Sequence, residues 1–319
     1  MTKDTNDEQF REDFNLGEAR EKAPAAEVSR EGWRLIPDVD LEAYYADQLT
    51  PDPSLSNSGM KYLLDETPLD FAFQHPRLNP DAEAIASTVA QRRGDVVHQL
   101  ALGKGRGYAI AEFADWRSGA AKSFRDNAIA DGLTPIKRAD FDEAEIMAGV
   151  IRDRIKEALD GAAYETEVAI VWQEQTSAGP IWVRGLMDVW CEELATILDP
   201  KVTAMLYDGK VARQMLAMGW DRQASLYPHG VGMVRPDLAG RVKFADLMVK
   251  PSAPYTSRLV GIEKGWEYSS IKQCQLAIER FGRCLYAGRW PGFGNTVERL
   301  VMPPWEDKRR EAIELGEGA

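Results

Sequence analysis

Asp188, Asp199 and Lys201 offer two carboxylates and an ammonium group within one short stretch of chain. Residues i and i+2 of a strand project from the same face, so Asp199 and Lys201 point together if Asp199-Pro-Lys201 is extended. A hairpin partner can bring Asp188 beside them. Two carboxylates at one spot hold a hard divalent cation such as Mg²⁺ through oxygen. A lysine alongside can orient the attacking water or help to remove its proton. Hydrolysis of a phosphodiester needs those parts: a nucleophile near neutral pH and positive charge beside the developing phosphorane. The spacing alone also fits a pair of solvated turn residues. Pro200 cannot donate to a ladder, which favours the end or edge of a strand over its centre.

The elements that must position these groups are legible as alternating patterns. Leu55-Ser-Asn-Ser-Gly-Met60-Lys-Tyr-Leu-Leu64 reads as a capped helix, followed by a short one at Pro68–Gln74. Residues 81–102 read as a helix with Ile85, Val96, Val97 and Leu100 as apolar positions. Residues 139–160 read as a second, capped by Asp140, with Ile146, Val150, Ile151, Ile155 and Leu159 recurring at helical spacing. Glu167–Trp172 and Ile181–Asp188 alternate like strands around the turn material Gln175–Pro180, which predicts a hairpin. A strand at 195–201, one long helix over Asp208–Tyr227, strands at 242–249 and 257–263 and a helix over 268–287 complete the body. This order predicts an α/β fold with a central mixed sheet flanked by helices.

Composition bounds the rest. The chain has 319 residues, 44% of them hydrophobic, enough for a substantial core. Its 39 Lys and Arg against 51 Asp and Glu leave a formal charge of −12, which argues against nonspecific coating of nucleic acid but allows a local basic channel. The three cysteines, Cys191, Cys274 and Cys284, lack C-x-x-C spacing, which disfavours a disulfide framework or zinc ribbon. Neither a leader nor a membrane span is expected, and the cytoplasm is the expected compartment. Residues 1–30 read as a disordered acidic arm, 31–305 as a single domain and 306–319 as a flexible tail.

Further pieces then fall into an order. They are the Leu55–Met60 helix, Gly94-Asp-Val-Val-His98-Gln-Leu-Ala-Leu102-Gly103, Glu167–Trp172, Gly185-Leu-Met-Asp188, Ile197-Leu-Asp-Pro-Lys201, Gly219-Trp-Asp-Arg-Gln223-Ala-Ser-Leu-Tyr227, Pro254-Tyr255 and Gly288–Phe293. This series, over roughly residues 50–295, resembles the PD-(D/E)xK nuclease superfamily, specifically RecB-like exonucleases and most closely the RecE-type (exodeoxyribonuclease VIII) nuclease domain of phages and prophages. The resemblance implies that His98, Asp188 and Asp199 are metal ligands, that Glu167 lies near the metals, and that Lys201 is the catalytic lysine. Gln223 and Tyr227 would match the family's Q-x-x-x-Y helix beside the active site, with Gln223 holding substrate or the lysine and Tyr227 touching substrate. Arg184 and Arg222, the latter beside Trp220, would be further substrate contacts. Relatives often carry Arg two residues before the first aspartate, where this chain has Leu186, and an apolar residue where it has Pro200.

By that likeness the chain is a Mg²⁺-dependent exodeoxyribonuclease, with Mn²⁺ able to substitute. It would resect duplex DNA ends 5′→3′, leaving 3′ single strands for an annealing protein, as a ring-shaped homo-oligomer in a bacterial or phage-infected cell. An endonuclease or single-strand nuclease of the same fold, or a non-catalytic binder of DNA ends or recombination partners, remains open on the sequence. His75 and His229 have no motif around them and read as ordinary packed or surface groups. Gly103-Lys-Gly-Arg-Gly107 lacks the P-loop pattern and reads as a basic turn.

Overall fold

The computed structural model describes residues 30–81, 89–295, 297 and 299–315. Residues 1–29 of the expected arm, residues 82–88 of the first long helix (Ile85 included) and 316–319 of the expected tail lie outside the described residues.

Strand β5 (Glu165–Gln175) turns into β6 (Pro180–Cys191), the predicted hairpin, and β6 pairs antiparallel with β7 (Thr196–Val202). β6 therefore runs three residues past Asp188 instead of ending on it. β7 then pairs in parallel with β8 (Lys243–Val249), and β9 (Ser257–Val260) closes that side. On the other side β1 (Arg34–Ile36) lies against β5, while β2 (Ser54–Leu55) adds in parallel to β6. The sheet is mixed and has helices on both faces, as the pattern predicted.

α1 (Leu41–Tyr45) packs Tyr44 against Ala169 at the sheet margin, on the face opposite to the one covered by α2 (Asn57–Asp65) and α3 (Pro68–Gln74), which start on Ser56 and Thr67 caps. The α1 face also carries α4 (Val89–Leu102) against a long helix, α6 (Arg138–Ala158). The buried stripe of α6 is Phe141, Ala144, Met147, Ala148, Ile151 and Ile155. Each large member contributes roughly 1.5–3 kcal/mol by leaving water. Ile146, expected in that stripe, is 50% exposed, because the helix turns its 144/147/148/151 face inward. Asp140 lies in the first turn and pairs with Lys137 at 3.1 Å instead of capping. Between α4 and α6 the chain builds a small parallel sheet, β3 (Tyr108–Ala111) with β4 (Thr134–Lys137), around α5 (Gly119–Ala130). None of these three was read from the sequence.

The crossover from β7 to β8 contains two helices, not one: α7 (Asp208–Met218) and α8 (Trp220–Val234). Gly219 has φ +71°, a conformation that ends the first helix and lets the second start in a new direction. α9 (Lys264–Ala287) packs beside α8. The stretch expected as a tail is helical over Pro304–Glu314 (α10), none of whose residues is buried.

Candidate active site

The strand registers place four acids side by side. Thr166↔Val189 and Val168↔Met187 bracket Glu167 and Asp188, so these face each other across β5 and β6. Val189↔Leu198 sets Asp188 next to Asp199 across β6 and β7, and Asp199↔Asp246 are direct partners on β7 and β8. Glu167, Asp188, Asp199 and Asp246 thus form one row across four adjacent strands.

Regular alternation of side chains breaks at this row. Met187 packs into the core beneath α8 and α9, whereas Val189, two residues on, packs into the core beneath α4 and α6. Opposite, Glu167 has φ +52°, a backbone state that costs a non-glycine residue energy and that clusters at functional sites. The interruption exposes the row to both helical layers. α4 contributes His98, next to the buried Val96 and Val97. α8 contributes Gln223.

His98 Nε2 lies 2.8 Å from Asp188 Oδ2, and its Nδ1 lies 3.5 Å from Glu167 Oε1. Those three residues offer ligand atoms within 4.8 Å of one another, a donor set suited to a divalent cation. Lys201 forms an ion pair with Asp199, and its Nζ donates to Gln223 Oε1 at 3.3 Å. The amide of Gln223 in turn donates to Asp199 Oδ1 at 2.7 Å. Trp220 flanks the ammonium group, 5.4 Å from Nζ to the ring centroid. Pro200 is accommodated because the β6 ladder stops at Leu198, leaving the proline paired only on its β8 side.

Burial and crowding reshape the charges. Burial opposes the His98 charge, but Asp188 and Glu167 outweigh it and hold the imidazole protonated up to about 10. Burial and the adjacent Asp188 push Asp199 up to about 7 against the pull of Lys201. Burial and Asp199 push Asp246 up to about 8. Asp188 goes the other way: burial raises it, but the charge and hydrogen bond of His98 bring it below the usual carboxylate range. Such a mixture of displaced acids in one place marks a functional site more than a structural ion pair.

The structure assembles His98, Glu167, Asp188, Asp199, Lys201 and Gln223, and it leaves out three other expected residues. Arg184 is 6% exposed and bound to Asp47 at 2.5 Å and to Ser54 O at 2.8 Å, which makes it an internal brace. Tyr227 is buried in the core, its hydroxyl accepting the Leu186 N–H at 3.4 Å. Its ring lies so close to Gly185 that a Cβ there would come within 2.6 Å of it; Tyr227 therefore seats α8 on β6. Arg222 is buried, and its ion pair, at 3.8 Å, is with Asp65 of α2 and not with the acidic row. Lys104 donates to Asp38 at 2.7 Å and to Thr166 O at 2.8 Å, tying the basic turn to the start of β5 beside Glu167. Asp246 was missed. Its signal was a lone charge in the apolar run Phe244-Ala-Asp246-Leu-Met-Val249, read only as a strand.

No family model matches this chain, and no curated protein does so at a significant level. A solved structure does. It is a crystal structure from Eubacterium rectale at 2.19 Å, described as a "putative exonuclease". The two superpose with a TM-score of 0.53 and 14% identity over 84% of this chain and 97% of that one, which establishes a shared fold. A second structure, SSO0001, aligns over 66% of this chain at 10% identity and a TM-score of 0.27, too low to support any argument. The α/β architecture with its mixed sheet is thus common to this chain and a protein described as a nuclease. Among the described residues no helix is long and apolar enough to cross a membrane.

Proposed function

We propose that the chain is a divalent-cation-dependent nuclease, and more narrowly an exonuclease acting on duplex DNA ends. The observation that carries this reading is the convergence of Asp188, Asp199 and Lys201 with His98 and Glu167 from four separate elements. His98, Glu167 and Asp188 would hold the cation, with Asp199 adjoining through its contact with Asp188. The donor set fits: oxygen donors with a single imidazole suit Mg²⁺ and better still Mn²⁺. When bound, such an ion supplies Lewis-acid charge beside a phosphate and favours ionisation of water near neutral pH.

The remaining roles fall to the chain's own groups. Lys201, fixed by Asp199 and Gln223, presents positive charge where a scissile phosphate would gain negative charge. Gln223 holds the lysine and the carboxylate in one geometry, a positioning role. Trp220 offers a ring beside that lysine on which a terminal base could stack. The 5′→3′ polarity, use of the product by an annealing protein and a ring-shaped oligomer are parts of the same proposal, motivated by the likeness to RecE-type nucleases. The "putative exonuclease" description of the structural neighbour points the same way.

The test is linear duplex DNA labelled separately at each 5′ and 3′ end, incubated with Mg²⁺ or EDTA, with a covalently closed circle alongside. Release from the 5′ label with Mg²⁺, an intact circle and a loss of about 10²–10⁴-fold in Lys201→Met or Asp199→Asn are expected. A cut circle would convert the reading to an endonuclease. Full activity in both variants would remove this site from the reaction.

A further inference from the structure

The basic turn Gly103-Lys-Gly-Arg-Gly107 is fastened to neighbours of two of the proposed cation ligands. The Gly107 N–H donates to Gln99 Oε1 at 3.0 Å, and Gln99 follows His98 on α4. Lys104 Nζ donates to Thr166 O at 2.8 Å, one residue before Glu167 on β5. Gly107 has φ +87°, and a Leu133 methyl group lies 2.7 Å from where a Cβ would stand, so only glycine fits there. The two cations of the turn fare differently. Lys104 is paired with Asp38, whereas Arg106 is exposed and makes no ion pair among the described residues. Its guanidinium lies instead over the Tyr45 ring, 5.1 Å from the centroid.

Tyr45 is itself half-exposed at the end of α1, and Tyr44 packs edge-on to it at 5.4 Å. It borders the acidic row: burial, then the charges of Glu167 and Asp188, push its hydroxyl up to about 12. Asp95 of α4, an acid that burial raises, feels the charges of both His98 and Arg106. Tyr45 and Arg106 therefore stand on the α4 side of the row, while Lys201 meets Gln223 and Trp220 on the α8 side.

We propose that Arg106, stacked on Tyr45, is a phosphate clamp that grips the substrate backbone on the α4 side of the row, while Lys201 faces the scissile phosphate on the other. The inference deepens the nuclease reading and rests on it. A row of carboxylates repels a polyanion, so a strand laid across it needs cationic groups of the chain besides the metal. A guanidinium resting on an aromatic ring is pre-organised and keeps its edge N–H groups free. That fork of donors matches two phosphate oxygens at once.

The experiment measures binding of a fluorescein-labelled linear duplex to the full chain by anisotropy, with Mg²⁺ present, at several salt concentrations. Every protein carries Lys201→Met to slow cleavage. Adding Arg106→Gln is expected to weaken binding about 10-fold and to reduce the slope of log affinity on log salt by about one. Arg106→Lys, which keeps the charge without the fork, should keep the slope and lose part of the affinity. Tyr45→Leu should weaken binding in the same direction, and Arg106→Gln, at an exposed position, should leave Tm unchanged. Unchanged affinity and slope in Arg106→Gln would overturn the clamp and leave the nuclease reading intact. Arg106-dependent binding by a chain that, with Lys201 in place, never cuts DNA would end the nuclease reading while the contact stands. A chain that binds no duplex would overturn both.

Discussion

Two buried charge clusters share strand β6, and they are built on opposite plans. Around Arg184, one carboxylate is saturated. Asp47 Oδ1 takes the guanidinium at 2.5 Å and the Ser54 hydroxyl, while its Oδ2 takes the Ser54 N–H at 2.9 Å and lies 3.3 Å from His75 Nε2. Around Asp188, four residues on, four carboxylates face two cationic groups among the described residues, His98 and Lys201, and Asp246 receives no donor from these residues. Both clusters contain an aspartate, a histidine and a long cation, so residue type does not tell them apart. Saturation does. A closed network holds the fold together, and a network short of positive charge is what the proposed cation would complete.

The sharpest way to break this contrast is to open the closed cluster. Arg184→Met leaves Asp47 buried without its principal partner and is expected to cost about 3–5 kcal/mol in urea unfolding, while nuclease activity per folded molecule persists. A loss of activity without a loss of stability would mean that the two clusters are not separate in function.

A second comparison uses pH in metal-free buffer. Asp47 is held below its ordinary range, burial being outweighed by His75, Arg184 and Ser54. Its contribution is therefore present above the unfolded carboxylate pKa near 4 and is lost as the pH falls through its lower folded value. Asp199 and Asp246 are raised, to about 7 and about 8, so what they contribute is present below about 4 and is lost as the pH rises through those values. The acid limb of a Tm–pH curve should flatten in Asp47→Asn, and the limb between about pH 4 and about pH 7 should flatten in Asp199→Asn. Identical curves for the wild type and both variants would sink the distinction.

The smallest expected effect concerns the wedge between the clusters. Tyr227→Phe removes only the hydroxyl that accepts the Leu186 N–H, so a stability loss of about 0.5–1.5 kcal/mol with little change in cleavage rate is expected. A large rate loss at unchanged stability would return Tyr227 to the substrate.

Much of this was legible before any coordinates. The i, i+2 relation of Asp199 and Lys201 survives because strand parity is local, and the hairpin survives because turn residues at 175–180 dictate it. The break at Gly219 was less legible, since the apolar pattern continues across it and only a positive φ marks it. Arg184, read as a substrate contact for its nearness to Asp188, belongs to Asp47, 137 residues away. No spacing rule encodes that contact.

By itself, then, the sequence determined the chemical types at the site and the parity that turns Asp199 and Lys201 to one side, because both follow from neighbours along the chain. Which charges were satisfied, and that Asp246 completes a row of four acids, was decided only by the tertiary structure. That row depends on the crossover through α7 and α8 that lays β8 parallel to β7 in one register, and burial across the whole sheet selects it.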